Sequence, residues 1–168
     1  EYALGLGTAP SIARGEANAS ADEMLGYFDR RDGENPYTIQ KELQDTMHSL
    51  VGIIRTKSEL DEARSKVAEY AGRTKNAGVE GHRQYNPGWH LAMDLKSMLT
   101  VSEAIARAAE MRQESRGGHT RDDFPDPDPE WGKVNVVVRQ GRDGDMQLVK
   151  EPLPQMPAEL QALFEEAH

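Results

Sequence analysis

The chain has 168 residues, no cysteine, and 20 Lys+Arg against 29 Asp+Glu, for a net charge of −9. That length suits one domain of ordinary size with a buried core, two small units being the other arrangement it allows. Absence of cysteine removes disulfides, thiolate zinc sites, iron–sulfur ligation and cysteine nucleophiles, and the acidic balance argues against a nucleic-acid or anionic-membrane surface. At 37% hydrophobic residues the composition is that of a modest-cored globular protein. No stretch approaches the roughly 18 apolar residues of a membrane span, and no signal-peptide pattern opens the chain, so direct membrane insertion is not expected. The first residue is Glu1 rather than Met, which reads as a piece of something longer.

Residues 11–31 carry Ala13, Ala17, Met24, Leu25 and Phe28 at helical spacing, as one helix or as two short ones meeting near Ser20. The turn around Asp32 and Gly33 stops it. Asn35 followed by Pro36 is an N-cap and first-turn pair for a second helix, whose stripe is Ile39, Leu43, Met47, Leu50 and Ile54. A fresh cap at Ser58 with acids in the first turn predicts a third helix with Leu60, Ala63, Val67 and Tyr70 facing inward. The fourth and longest helix runs from Asn86 to about Ser115. Its main stripe is Leu91, Leu95, Met98, Ser102, Ile105 and Ala109, and a second row of Met93, Ala104, Ala108 and Met111 widens the apolar face. Three consecutive amphipathic helices with short connections favour an antiparallel bundle.

After Ser115 the character changes. A Gly pair and prolines at 125, 127 and 129 exclude regular structure. Alternating Val134, Val136 and Val138, then Gly141-Arg142-Asp143-Gly144, then residues 146–150 predict a β-hairpin. Prolines at 152, 154 and 157 extend the tail, and 158–167 reads as a short terminal helix.

Few residue sets suggest chemistry. Gly5-Leu6-Gly7 lacks the preceding strand, third glycine and distant acid of a dinucleotide fingerprint, and reads as a linker. The five histidines show no metal-binding spacing with a partnering carboxylate, and His90 with Asp94 reads as a local contact. The acids Asp122, Asp123, Asp126, Asp128 and Glu130 lack the central glycine of a calcium loop. What remains is the concentration of Arg112, Glu114, Arg116, His119, Arg121, Asp122 and Asp123 around Gly117 and Gly118. It reads as an active-site loop with His119 as acid/base, as a docking element, or as a solvated loop with local ion pairs.

The run Tyr85-Asn86-Pro87-Gly88-Trp89-His90-Leu91-Ala92-Met93-Asp94-Leu95, followed by Arg112-Gln113-Glu114-Ser115-Arg116-Gly117-Gly118-His119-Thr120-Arg121-Asp122-Asp123-Phe124-Pro125, resembles the C-terminal helical domain of succinate dehydrogenase and fumarate reductase flavoprotein subunits. Val51-Gly52-Ile53-Ile54-Arg55-Thr56 is similar to the family's Gly-x-x-Arg element, and the tail is similar to actinobacterial versions. The resemblance implies a mainly α fold, an antiparallel three-helix bundle (spectrin-repeat-like) with a C-terminal β-hairpin and extended tail. It implies residues 1–10 as a linker from a flavin domain, 11–116 as the bundle, and 117–168 as loop, hairpin and tail packed on the bundle or on partners. The catalytic, cofactor-binding and metal sets in this chain are expected to be empty, with FAD held in the full-length subunit. Two partners are implied: the flavin-binding domain of the same polypeptide, and an iron–sulfur subunit. The resemblance places them at the cytoplasmic face of the cell membrane through partner subunits. Arg55, Arg116, His119, Arg121 and Asp123 are the interface candidates. L-aspartate oxidase shares the helical domain and the Glu-Ser-Arg-Gly motif, but its chain typically stops soon after it. An independent helical protein-binding module and a redox-active isolated chain are the other readings, the last predicting a yellow protein.

Overall fold

Local sequence sets the helix starts. In the computed structural model, which describes residues 5, 7 and 11–160, α1 is Arg14–Leu25, α2 Pro36–Leu50, α3 Lys57–Thr74 and α4 Pro87–Met111. Two short strands, β1 (Ile54–Arg55) and β2 (Thr120–Arg121), pair in parallel, and β3 (Val134–Gln140) pairs antiparallel with β4 (Met146–Pro152). Three-residue 3₁₀ turns occur at Gly26–Phe28 and Trp131–Lys133. Asn35 Oδ1 accepts the Tyr37 amide at 3.0 Å and Asn86 Oδ1 accepts the Trp89 amide at 3.0 Å, so side-chain oxygens satisfy otherwise orphaned N–H groups at the starts of α2 and α4. At α3 the cap is Thr56 rather than Ser58: Glu59 Oε2 accepts the Thr56 amide at 2.6 Å while Thr56 Oγ1 accepts the Glu59 amide at 3.4 Å, a reciprocal capping box.

The expected three-helix bundle is overturned. The described residues hold four complete α-helices, with residues 158–160 also helical. The expected apolar stripes exist, but they serve two compact units, residues 1–43 with 69–99 and residues 44–68 with 100–168. Ile39 and Leu43 of the α2 stripe belong to the first unit, Met47 and Leu50 to the second, and Ile54 has left the helix for β1 and is exposed. α1 is one uninterrupted helix across Ser20 and buries none of its own side chains. The expected linker at 1–10 and the terminal helix beyond residue 160 lie, apart from residues 5 and 7, outside the described residues.

In the first unit Ile39, Leu43, Tyr70, Ala77, Val79, Leu91, Ala92, Leu95 and Leu99 are buried. Trp89 meets Phe28 edge-on at 5.2 Å, and its Nε1–H donates to Met24 O at 2.7 Å, tying the end of α1 to the start of α4. Two backbone turns press together here: Gly78 N donates to Glu34 O and Glu34 N to Asn76 O. A Cβ on Gly78 would lie 2.0 Å from Arg30 O, so only glycine fits. In the second unit Val51, Leu60, Ala63, Ala106 and Ala109 form a continuous apolar cluster with Met47 and Leu50 against it. Trp131 is buried beneath the Arg112 guanidinium and the Lys150 ammonium, 5.2 and 3.5 Å from its ring centre.

Candidate functional site: the polar loop after the longest helix

All five interface candidates lie in the second unit, and the fold joins them through the end of α4. A helix leaves its last carbonyls without intrahelical donors. Here Arg121 supplies them: Nη1 lies 3.0, 3.1 and 3.3 Å from the carbonyl oxygens of Ala109, Glu110 and Arg112. Arg121 is completely buried, and its remaining donors, Nε and Nη2, grip both oxygens of Asp123 at 2.7 Å. Asp123 Oδ2 also accepts the Lys57 amide at the first turn of α3, at 3.0 Å. One bidentate ion pair thus puts its cation at the negative end of α4 and its anion at the positive end of α3. Held mainly by Arg121 and further by the Lys57 amide, against burial that opposes it, the Asp123 carboxyl titrates at about 2.

Glu114 is the second node. Its fully buried carboxylate accepts from Arg112 Nη1, from Arg116 Nε at 3.1 and 3.2 Å, and from the Asp128 amide at 2.9 Å. Arg116 above all, then the Asp128 amide and Arg112, lower it to about 2 although burial acts in the other direction. Arg116, half exposed, also donates to Asp128 O at 3.0 Å. Ser115 Oγ accepts the Arg121 amide at 2.9 Å and donates to Phe124 O at 2.8 Å, which closes the loop on itself.

His119 sits between these nodes. Arg55 Nη2 lies 2.8 Å from its Nδ1, and its Nε2 lies 3.0 Å from Arg112 O. A guanidinium only donates, so Nδ1 carries the lone pair and Nε2 the proton: the ring is a neutral strut from Arg55 to the end of α4. Burial first, then the charges of Arg55, Arg112 and Arg121, lower its pKa, with the Arg112 carbonyl opposing. Both ring nitrogens are engaged, an arrangement suited to holding structure rather than to relaying protons. The β1–β2 pairing brings Arg55 here, through the Thr120 and Asp122 amides donating to Ile53 O and Arg55 O at 3.2 and 3.1 Å.

Arg112, Glu114, Ser115 and the Lys57 amide complete the knot but stand outside the five sequence candidates. The signal for Glu114 was its spacing: Arg112, Glu114 and Arg116 alternate, as do Arg121 and Asp123, and in an extended chain residues two apart share a side.

Residues 40–163 match the family model described as fumarate reductase flavoprotein C-term. The chain belongs to this family. As a C-terminal domain of succinate dehydrogenase/fumarate reductase flavoprotein subunits, it is 35% identical over 111 residues to a fumarate reductase (CoM/CoB) subunit of Methanothermobacter marburgensis, a match covering 66% of this chain and 20% of that protein. It is 30% identical over 141 residues to the fumarate reductase flavoprotein subunit of Mycobacterium tuberculosis, covering 82% of this chain and 24% of the relative. The solved structure of Mycobacterium smegmatis Sdh1 in complex with UQ1 superposes with a TM-score of 0.86 at 40% identity, over 95% of this chain and 28% of that one. The fold also recurs in adenylylsulfate reductase of Archaeoglobus fulgidus, with a TM-score of 0.77 at 16% identity. The chain therefore spans about a fifth to a quarter of the curated relatives it matches.

The loop guanidiniums point at protein carbonyls and carboxylates. A cleft of about 330 Å³ in the first unit, lined by residues including Gly33, Asn35, Gly78 and Asn86, presents helix-capping amides whose oxygens already accept backbone N–H groups. Among the described residues no group of three His, Asp or Glu could hold a metal ion, and no helix is long and apolar enough to cross a membrane.

Proposed function

We propose that this domain works as the structural buttress of a flavoprotein that interconverts succinate and fumarate, with FAD and the catalytic residues in the flavin-binding part of the full-length polypeptide. In this reading residues 1–10 are the linker, 11–116 the helical part and 117–168 the loop, hairpin and tail that pack on it or on partners. Membrane association at the cytoplasmic face comes through an iron–sulfur subunit with its anchor. The observation that carries the reading is the use of charge in the loop. Arg112, Arg116 and Arg121 bind Glu114, Asp123 and backbone carbonyls of this domain, and His119 is locked neutral, so the groups a sequence search picks out for acid/base work are structural ties. Arg121 and Asp123 tie the loop to the helix ends, and Arg55, Arg116, His119, Arg121 and Asp123 together are the residues we assign to the join.

The test is a flavoprotein cut before residue 11, produced with its iron–sulfur subunit. It should lose flavin content and co-purifying iron–sulfur subunit together. A truncated flavoprotein that keeps its flavin absorbance, its partner and its thermal stability would sink the proposal.

A further inference from the structure

Hydrogen bonds rather than packing hold β1 in place. Ile53 and Ile54 are 70% and 63% exposed, so neither aliphatic side chain anchors the strand in the core of the second unit. Its backbone is tied to β2 by the Thr120 and Asp122 amides, which donate to Ile53 O and Arg55 O at 3.2 and 3.1 Å. A segment with few buried apolar contacts opens at a far lower free energy than the core around it. The neighbouring ties do not need β1. Asp123 holds the Lys57 amide at the start of α3, and Arg121 holds the carbonyls at the end of α4.

One side chain fastens the strand to the loop. Arg55 Nη2 lies 2.8 Å from His119 Nδ1, and the guanidinium's other acceptor among the described residues is the Val51 carbonyl of its own segment, at 3.4 Å. The bond to the ring exists only while Nδ1 keeps its lone pair. Protonation sets an N–H against the guanidinium N–H and adds a second positive charge beside it. The ring cannot turn its other nitrogen to Arg55 without losing the 3.0 Å bond between Nε2 and Arg112 O. Burial acts most strongly against a proton here; the Arg112 carbonyl favours one, and the charges of Arg55 in β1, Arg112 beyond α4 and Arg121 in β2 oppose it. The acids of the knot are already taken, Glu114 by Arg112 and Arg116 and Asp123 by Arg121, while Asp122 is exposed. From α3, Lys57 faces Asp61 and Glu110.

We infer that His119 is a proton-operated latch on β1: with the ring neutral, Arg55 fastens the strand to the loop, and a solvent proton on Nδ1 releases residues 53–55 while α3, α4 and the Arg121–Asp123 pair stay in place. Once the strand is released, Arg55 regains water and His119 is an ordinary imidazolium, so opening takes up one proton. The opening constant therefore rises by up to about tenfold for each pH unit between the ring's ordinary 6.5 and its lower value in the closed form. The latch is a local device and does not depend on the buttress role proposed above.

The experiment follows amide hydrogen exchange, residue by residue, in the full flavoprotein with its iron–sulfur subunit as pH is lowered from about 7.5 to about 5, each rate being divided by the intrinsic rate at that pH. The Thr120 and Asp122 amides, which donate to β1, should lose about tenfold in protection, while amides inside α3 and α4 keep theirs. His119→Gln, whose amide group accepts from Arg55 and donates to Arg112 O at any pH, should hold both amides protected throughout. Arg55→Gln, which removes the opposing charge and the fastening together, should start less protected and then change by under about threefold. Protection of Thr120 and Asp122 that does not respond to pH overturns the latch. So does an undiminished acid loss in either variant, or a loss shared by the α3 and α4 amides. The buttress role is judged separately, by the truncated flavoprotein.

Discussion

Arg73 in the first unit and Arg121 in the second both collect acceptors, and they do so in opposite surroundings. Arg73 is about a quarter exposed and faces Glu34, Glu42 and Glu69, an ion-pair fan with solvent at its rim. Arg121 is buried, with one carboxylate and three backbone carbonyls. Water can reach Arg73 itself and replace its partners, whereas Arg121 is out of water and only its carboxylate partner Asp123 is partly exposed. The number of acidic neighbours is thus a poor guide to what a guanidinium contributes; the groups stranded by its removal are a better one.

That contrast can be broken by substitution. Arg121→Leu should cost about 3 kcal/mol, as expected when a buried member of an ion pair is removed and three helix-end carbonyls lose their donor, read as a lowered urea midpoint with the α3 and α4 ends losing amide protection. A loss under about 1 kcal/mol would mean that water or a neighbouring side chain takes over these acceptors.

Acid sharpens the comparison next. His119 has a folded pKa below its ordinary 6.5, so the unfolded chain takes the proton first. Its contribution is complete above that value and is lost as pH falls from 6.5 toward the folded pKa. Glu114 and Asp123, ordinarily 4.5 and 3.8, are held at about 2, so their contribution is lost over a lower window, from about 4.5 down to about 2. Urea midpoints measured between pH 7.5 and 3 should therefore fall in two stages. His119→Gln, whose amide can still accept from Arg55 and donate to the Arg112 carbonyl, should flatten the upper stage and leave the lower one. An unchanged upper stage would show that His119 is not the group responsible.

The smallest effect is expected in the other region. Arg73→Ala should cost about 1 kcal/mol or less, because a solvent-facing ion pair rarely contributes more, and raising the salt concentration should shrink even that difference. If the loss instead matched that of Arg121→Leu, exposure would not be what separates the two arginines.

Much of this was legible in the residues. Leu60, Ala63, Val67 and Tyr70 are all buried as their spacing on α3 predicts, Asn35 and Asn86 cap the helices they precede, and the valine alternation with its Gly-Arg-Asp-Gly turn is the β3–β4 hairpin. The crowding of Arg, His and Asp after α4 marked the loop, and its motif marked the family. The α2 stripe misled, because Ile54 continues the spacing of Leu50 although the helix ends there and the chain turns into β1. Ile105 likewise lies on the predicted inner stripe of α4 and is 46% exposed. The bundle inference failed for a related reason: helical periodicity shows which face of a helix is apolar, not how many packing units those faces are divided among.

The sequence by itself determined the helices, their caps, the hairpin and the presence of a charged knot, since each depends on residues a few positions apart. Tertiary structure alone decided that Arg121 lies inside while Arg73 lies at the surface, and that Ile54 meets Thr120 in a strand pair. A two-residue strand has no periodicity to read, and the burial of a charge is set by acceptors that arrive from distant parts of the chain. For Arg121 these are the free carbonyls at the end of one helix and an aspartate that also caps the start of another.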